Sequence, residues 1–354
     1  MKKNRIGILS LMRVAMYYNN RDVRLEEMET PRIGSDEMLV QIFASSICGS
    51  DTMEWYRIRH APLVLGHEIA GRVAEAGADV SGFKKGDKVV ATHHVPCFSC
   101  HNCENGHETV CDTLLGGTHF DPGGFCEYVR LPSINVARGT WLLPDEVTYE
   151  AATFVEPLGC VLRGQRIAGI RPGASVLVLG SGIAGLLHIK LAVAKDAGLI
   201  VATDLSHERL VLAGQYGAHH ILPADSDVAE EFRELNSGRG ADVVIVCAAA
   251  EAVCQQAFQA VGRGGTIMLF APAPSGTVVP LSINDVFWRR DVTVTTSYAA
   301  SPADCAEALE LIRSKRVRVD DMITHRFGLA ETGKGFQLVA EGGGSLKVII
   351  KPQE

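Results

Sequence analysis

Excess positive charge is missing from this chain. In 354 residues, 34 Lys and Arg stand against 41 Asp and Glu, a net charge of -7, and neither sign gathers into a long block. Nucleic acid, which calls for a basic face, is therefore excluded as the main partner. Also missing is any charge-free apolar stretch long enough to cross a bilayer, so no membrane partner is expected. The N-terminal MKKNRIGILSLM carries two lysines and a short apolar run, but Arg5 interrupts it and no small-residue cleavage site follows. It is not read as a secretory signal. Internal repeats and low-complexity tracts are absent too. What remains is the composition of an ordinary globular protein, 47% hydrophobic and 21% charged, expected in the cytoplasm and long enough for two domains.

Cysteine is present and unevenly spread. Four of the ten fall within fifteen residues of GDKVVATHHVPCFSCHNCENGHETVC. In a reducing compartment such clusters are more often metal ligands than disulfides. Cys97, Cys100, Cys103 and Cys111 form C-x2-C-x2-C-x7-C, a spacing that lets four thiolates reach one tetrahedral zinc. The residues between them are mostly polar, which makes the segment a loop. Four thiolates close the site, so this zinc is structural and does no chemistry. His107 is then a surface residue. Cys126, Cys160, Cys247, Cys254 and Cys305 have no partners at ligand spacing and are read as core or incidental.

From Met12 to about residue 150 the text is strand-like and punctuated by Gly and Pro, as in MLVQIFASSIC, EIAGRVAEAG and GFCEYVRLP. After Pro157 the pattern changes. ASVLVLG is an uninterrupted apolar strand, a helix-like run follows from Ile183 to Lys195, and LIVATD, ADVVIVCAAA and GGTIMLFAP are further buried strands with helical text between them. Strands alternating with helices imply a doubly wound parallel sheet, so the class is α/β. The expected organisation is a mostly β domain over 1–155, a dinucleotide-binding domain over 156–290, and a return to the first domain over 291–354. RDVTVTTSYAAS, rich in β-branched residues, is expected to make an exposed sheet edge that pairs with a second copy.

VLVLGSGIAG contains Gly180-x-Gly182-x-x-Gly185. Glycines are common here, and such a motif alone is weak evidence. Its context is stronger: it follows an apolar strand, opens a helix, and Asp204 ends the next strand nineteen residues after Gly185. Gly180 allows the tight turn, Gly182 admits a pyrophosphate, and Gly185 lets helix and strand pack closely. The helix start at Ile183 and Ala184 offers free N–H groups to the phosphates. Asp204 suits the ribose hydroxyls and repels a 2′-phosphate, which favours NAD over NADP. Arg209 pulls the other way, since a nearby arginine accommodates a phosphate. The competing reading of Asp204 is a helix N-cap in TDLSHERL.

The first domain holds a second set of metal-ligand types: Cys48 in SSICGSD, His67 and Glu68 in LGHE, and Glu156 in FVEPLGC. Spacing alone does not bring them together. The order GHE, cysteine knuckle, EPL, GSGIAG and TDLS resembles the zinc-dependent medium-chain dehydrogenases, nearest to their sorbitol (polyol) and threonine dehydrogenase branch. The resemblance covers the chain from Met12 to Lys351. It implies a GroES-like β domain carrying two zinc ions and a Rossmann domain, assembled as a homodimer or homotetramer. It also implies that Cys48, His67 and Glu156 hold a catalytic zinc, with Glu68 as a neighbour that can approach the metal. Ser50 matches the proton-relay hydroxyl and Asp51 the carboxylate that holds the ligand histidine. His94 stands where threonine dehydrogenases carry a histidine near their substrate; a polar strand-end residue is the competing reading. Trp55, Tyr56, Arg57 and Phe120 are candidate lining residues, although DTMEWYRIRHAP departs from the pattern of either branch.

The implied activity is NAD-dependent oxidation of a secondary alcohol, in a polyol or cyclitol-like molecule, to a ketone by hydride transfer. L-Threonine or another small alcohol is the alternative substrate. A non-catalytic dinucleotide-binding protein would keep the glycines without needing Cys48, Ser50, Asp51, His67 and Glu156 together.

Overall fold

The computed structural model of the protein describes residues 11–116, 119–248, 250–342 and 344–354. The N-terminal stretch weighed as a signal lies, up to Ser10, outside them. The chain divides into two compact units: one runs to Glu156 and resumes at Val319–Glu354, the other is Pro157–Arg318.

The described residues of the first unit form two sheets. Asp22–Glu29, Leu11–Asn19 and Leu63–Val64 pair antiparallel in that order. The larger sheet runs Ile323–Gly328, Lys347–Lys351, Met38–Ser46, Glu68–Ala76, Lys88–Ala91 and Thr140–Leu142, and Tyr128–Leu131 pairs with the start of Met38–Ser46. Apolar residues at alternate positions point inward and pack around Met12, Val14, Val40, Ile42, Ile69 and Val129. A second cluster joins Tyr17, Ile47 and Phe125 to Phe336, Val348 and Ile350, so the C-terminal segment completes this core.

The second unit holds one parallel sheet in the order His220–Pro223, Leu199–Asp204, Ser175–Leu179, Ala241–Val246, Val261–Leu269 and Thr293–Thr296. Numbered along the chain that is 3-2-1-4-5-6, the doubly wound dinucleotide-binding order, with its switch point between Ser175–Leu179 and Ala241–Val246. Every residue of Ser175–Leu179 is buried, which explains its unbroken apolar text.

The return to the first unit comes at Val319, not at residue 291. Thr293–Thr296 hydrogen-bonds along Val261–Leu269 as the last strand of the parallel sheet. Helix Pro302–Arg313 stays with that unit: Arg166 pairs with Asp304 at 2.6 Å, and Gly159 lies against Ala300 and Cys305. The edge strand therefore belongs to the second unit.

Candidate functional site

The cysteine lobe is a short, irregular path. Cys100 starts a one-turn helix, His101–Glu104, and Gly106 at φ 77° turns the chain back toward Cys111. The sulfur pairs Cys97–Cys103, Cys100–Cys103 and Cys97–Cys111 lie 3.9, 3.6 and 3.6 Å apart. Four sulfurs at about 2.3 Å from one zinc would lie about 3.8 Å apart, which these three separations match, and all four sulfurs lie within 4.8 Å of one another. Backbone N–H groups of Ser99 and Cys111's partner Cys97 donate to sulfur, at 3.5 Å to Cys97 and 3.3 Å to Cys111. The Ser99 N–H helps to bring Cys97 down to about 5. His107 is exposed.

A second donor set forms where Met38–Ser46 ends and Glu68–Ala76 begins. Beyond the strand the chain turns through Cys48, and Ser50 donates to Cys48 Sγ from both its N–H and its hydroxyl at 3.4 Å. Asp51, fully buried, accepts the Cys48 N–H at 3.0 Å and lies 3.3 Å from His67 Nδ1. Holding Nδ1 in this way leaves Nε2 of His67 for a metal. Burial opposes charge on His67, but Asp51 outweighs it and raises the imidazole well above the usual histidine range. The same pairing, helped by Arg57, outweighs burial at Asp51 and keeps its carboxyl low. Gly66, at φ 98°, sets up the approach to His67; a Cβ there would meet the Phe125 amide at 2.9 Å.

Glu68 follows His67 into the sheet and is 1% exposed. It pairs in register with Ser46, whose hydroxyl bonds its carboxylate, and it forms an ion pair with buried Lys347. Burial pushes Glu68 up despite Lys347, while Glu68 and Cys48 hold Lys347 protonated against its own burial. Lys347 and Ser46 were not found by sequence reasoning. A lysine opening SLKVIIK carries no local sign that it is buried beside a carboxylate.

Cys48, His67 and Glu68 bring ligand atoms within 4.8 Å of one another. Glu156, in the first turn of helix Val155–Ile167, groups instead with His93 and His94 within the same span. His94 Nδ1 lies 3.4 Å from Glu156 Oε1. Burial lowers His93 strongly and lowers His94 as well, against the pull of Glu156. His93, another residue missed from sequence, has its ring centroid 4.8 Å from that of His67 and 6.0 Å from that of Phe120. The adjacent histidines in THH were its only sequence signal. Arg57 Nη2 is 3.5 Å from Ser50 Oγ, whereas Trp55 and Tyr56 are each 44% exposed.

In the second unit Gly180 turns at φ 96°, and Gly182 opens helix Ile183–Ala194, whose first N–H groups at Ile183 and Ala184 have no partner from a preceding turn. A Cβ on Gly185 would stand 1.9 Å from the Gly180 carbonyl oxygen; one on Gly182 would meet nothing within 4 Å. Asp204 accepts the Ser181 N–H and the Ser206 N–H, both at 2.8 Å. The N-cap of helix His207–Gln215 is Ser206, which takes the Arg209 N–H, so Asp204 is not spent on capping.

The sequence matches the profile of the alcohol dehydrogenase GroES-like domain over residues 34–145 and that of the zinc-binding dehydrogenases over residues 184–314. Sorbitol dehydrogenase of Bacillus subtilis is 30% identical, covering 96% of this chain and 97% of that one. L-Threonine 3-dehydrogenase of Pyrococcus furiosus is 33% identical over 90% of this chain and 92% of its own. A crystal structure of a Sinorhizobium meliloti 1021 protein bound to NADP superposes with a TM-score of 0.85 at 26% identity, covering 97% and 100% of the two chains.

Proposed function

The chain belongs to the zinc-dependent medium-chain alcohol dehydrogenases, and from that premise we propose that it oxidises a secondary alcohol of a polyol or cyclitol-like substrate to a ketone with NAD. The observation that carries the substrate class is the polar surround of Cys48 and His67. Ser50, His93, His94 and Glu156 gather polar groups near that pair, which supports a hydroxylated substrate over a simple aliphatic alcohol. A site that hydrogen-bonds substrate hydroxyls rejects analogues lacking them, because its own buried groups are then left unpaired.

Two zinc ions suit the two donor sets: Cys97, Cys100, Cys103 and Cys111 for the structural ion, and Cys48 and His67 with a carboxylate from Glu68 or Glu156 for the catalytic one. When bound, zinc supplies Lewis acidity toward an alcohol oxygen, and NAD supplies the hydride acceptor. Ser50 is the first carrier of the hydroxyl proton, and His94 with Glu156 offers a second route for it. Asp51 is a positioning residue that fixes His67. Asp204, held by two N–H groups, meets the ribose diol, and its charge disfavours a 2′-phosphate. Association into dimers or tetramers and a cytoplasmic setting complete the reading.

Oxidation of L-threonine is the second reading. Arg57 favours it, because its guanidinium beside Ser50 would meet a carboxylate. The test is kcat/KM with NAD for sorbitol, xylitol, myo-inositol, 2,3-butanediol and L-threonine. Polyol or cyclitol turnover well above threonine is expected, and it should vanish in Cys48→Ser while the fold persists. Threonine turnover with negligible polyol oxidation would reverse the order, and turnover of simple primary alcohols alone would defeat both readings.

A further inference from the structure

Arg57 closes the short helix Glu54–Arg57, and its side chain is only 20% exposed. Its Nε–H donates to the Ser50 carbonyl at 3.0 Å, and Nη2 stands 3.5 Å from the Ser50 hydroxyl. The guanidinium carbon lies 5.0 Å from the centre of the Tyr56 ring. Charge compensation is thin. Asp51 Oδ1 is 3.9 Å from Nη2 and faces His67 Nδ1 more closely, at 3.3 Å. Among the described residues no acceptor meets Nη1. A largely buried guanidinium with unused donors is costly unless something pairs with it. We propose that Arg57 is the subsite for a carboxylate carried by the substrate itself, and that the alcohol oxidised here is a polyhydroxy acid of the aldonate kind.

This inference rests on the polyol reading and narrows it. The polar groups near Cys48 and His67 suit hydroxyls, and Arg57 adds a charge that a neutral polyol leaves unpaired. A carboxylate suits Arg57 better than a phosphate does. The planar fork pairs with two carboxylate oxygens, and a single guanidinium offsets a single negative charge. A hydroxy acid also suits it better than an amino acid, whose ammonium stands next to the carboxylate and is held close to a like charge. The subsite adjoins the proton relay, since the Ser50 that donates to Cys48 Sγ also carries the Arg57 contacts. The carboxylate takes no part in the bond changes. The carbinol carbon gives up a hydride to NAD and its hydroxyl gives up a proton, so the product is a keto acid. Arg57 acts on which alcohol is held, because a site left with an unpaired buried charge rejects the neutral analogue.

The experiment measures kcat/KM of the zinc-loaded enzyme with NAD for gluconate, galactonate and gulonate, each beside its neutral amide and its alditol. L-Threonine and sorbitol 6-phosphate complete the set. At least one aldonate should exceed its amide and its alditol about tenfold or more, and exceed threonine and the phosphate as well. In Arg57→Met the acid-to-amide ratio should fall by a similar factor, chiefly through KM, and Arg57→Lys should keep an intermediate ratio. A role limited to holding Ser50 would lower both kcat/KM values together and leave their ratio unchanged. The wild-type comparison of acid with amide decides the matter even where a variant fails to fold. Alditol turnover without preference for any aldonate, preference for threonine or the phosphate, or an unchanged ratio in Arg57→Met overturns the inference. Failure of the dehydrogenase reading shows itself differently, as no NADH from any of these alcohols, charged or neutral.

Discussion

Lys347 is a buried charge inside the first unit whose loss would leave its partner uncompensated. It is 2% accessible, its ammonium meets Glu68, and its ring neighbour is Phe154 at 5.7 Å. Removing one partner of a buried pair leaves the other charge uncompensated, which costs more than the intact pair contributes. Lys347→Met should therefore destabilise the protein by about 3 kcal/mol or more, measured by chemical denaturation. Adding Glu68→Gln should recover a large part, since the double variant buries no lone charge. Recovery in the double variant would separate the electrostatic cause from a packing defect. Asp204 has a different burden. Asp204→Ser should weaken NAD and improve NADP, because the ribose acceptor and the repulsion of a 2′-phosphate disappear together. A wild-type enzyme that already prefers NADP would hand that choice to Arg209.

Among elements, the strand–turn–helix of the second unit divides its glycines by task. Gly185 is a packing residue: its missing Cβ is what lets helix Ile183–Ala194 lie against the Gly180 carbonyl. Gly182 has open space where a side chain would go and a φ of -72° that any residue adopts. Gly185→Ala should thus cost about 2 kcal/mol or more of stability, as overpacking does. Gly182→Ala should leave stability nearly unchanged while weakening cofactor binding, if a pyrophosphate approaches the backbone there. Thermal unfolding without cofactor and titration with NAD read the two effects apart. Equal loss of stability in both variants would mean that the turn, and not a ligand, governs Gly182.

For the whole molecule the open matter is association. Strand Thr293–Thr296 has the parallel sheet on one side only, and near it Trp288, Tyr298 and Val294 are 70%, 50% and 37% exposed. An edge of β-branched residues with apolar neighbours is a template for pairing. Light scattering at micromolar concentration should give a dimer or larger, and Val294→Lys should shift it toward monomer. A monomeric wild type would end this reading. Among the described residues no helix is long and apolar enough to cross a membrane.

Several features were readable from the chain alone because they are local. The knuckle cysteines lie within fifteen residues, so ligand spacing alone suggested four sulfurs around one ion. The parallel sheet showed itself in apolar runs such as Ser175–Leu179, because a strand covered on both faces has no polar side to alternate with. The glycine turn is equally local, since its three constraints fall within six residues. Other features came only from strand register and packing between distant segments. Ser46 meets Glu68 through antiparallel pairing, and Lys347 reaches the same carboxylate from a strand near the other end of the chain. Glu156 comes beside His93 and His94 because its helix starts there, and the second unit continues to Arg318 because Thr293–Thr296 adds to its sheet. Buried polar groups need partners wherever the fold can bring one. Sequence spacing reports which groups can ligate or hydrogen-bond, and only the folded register decides which of them meet.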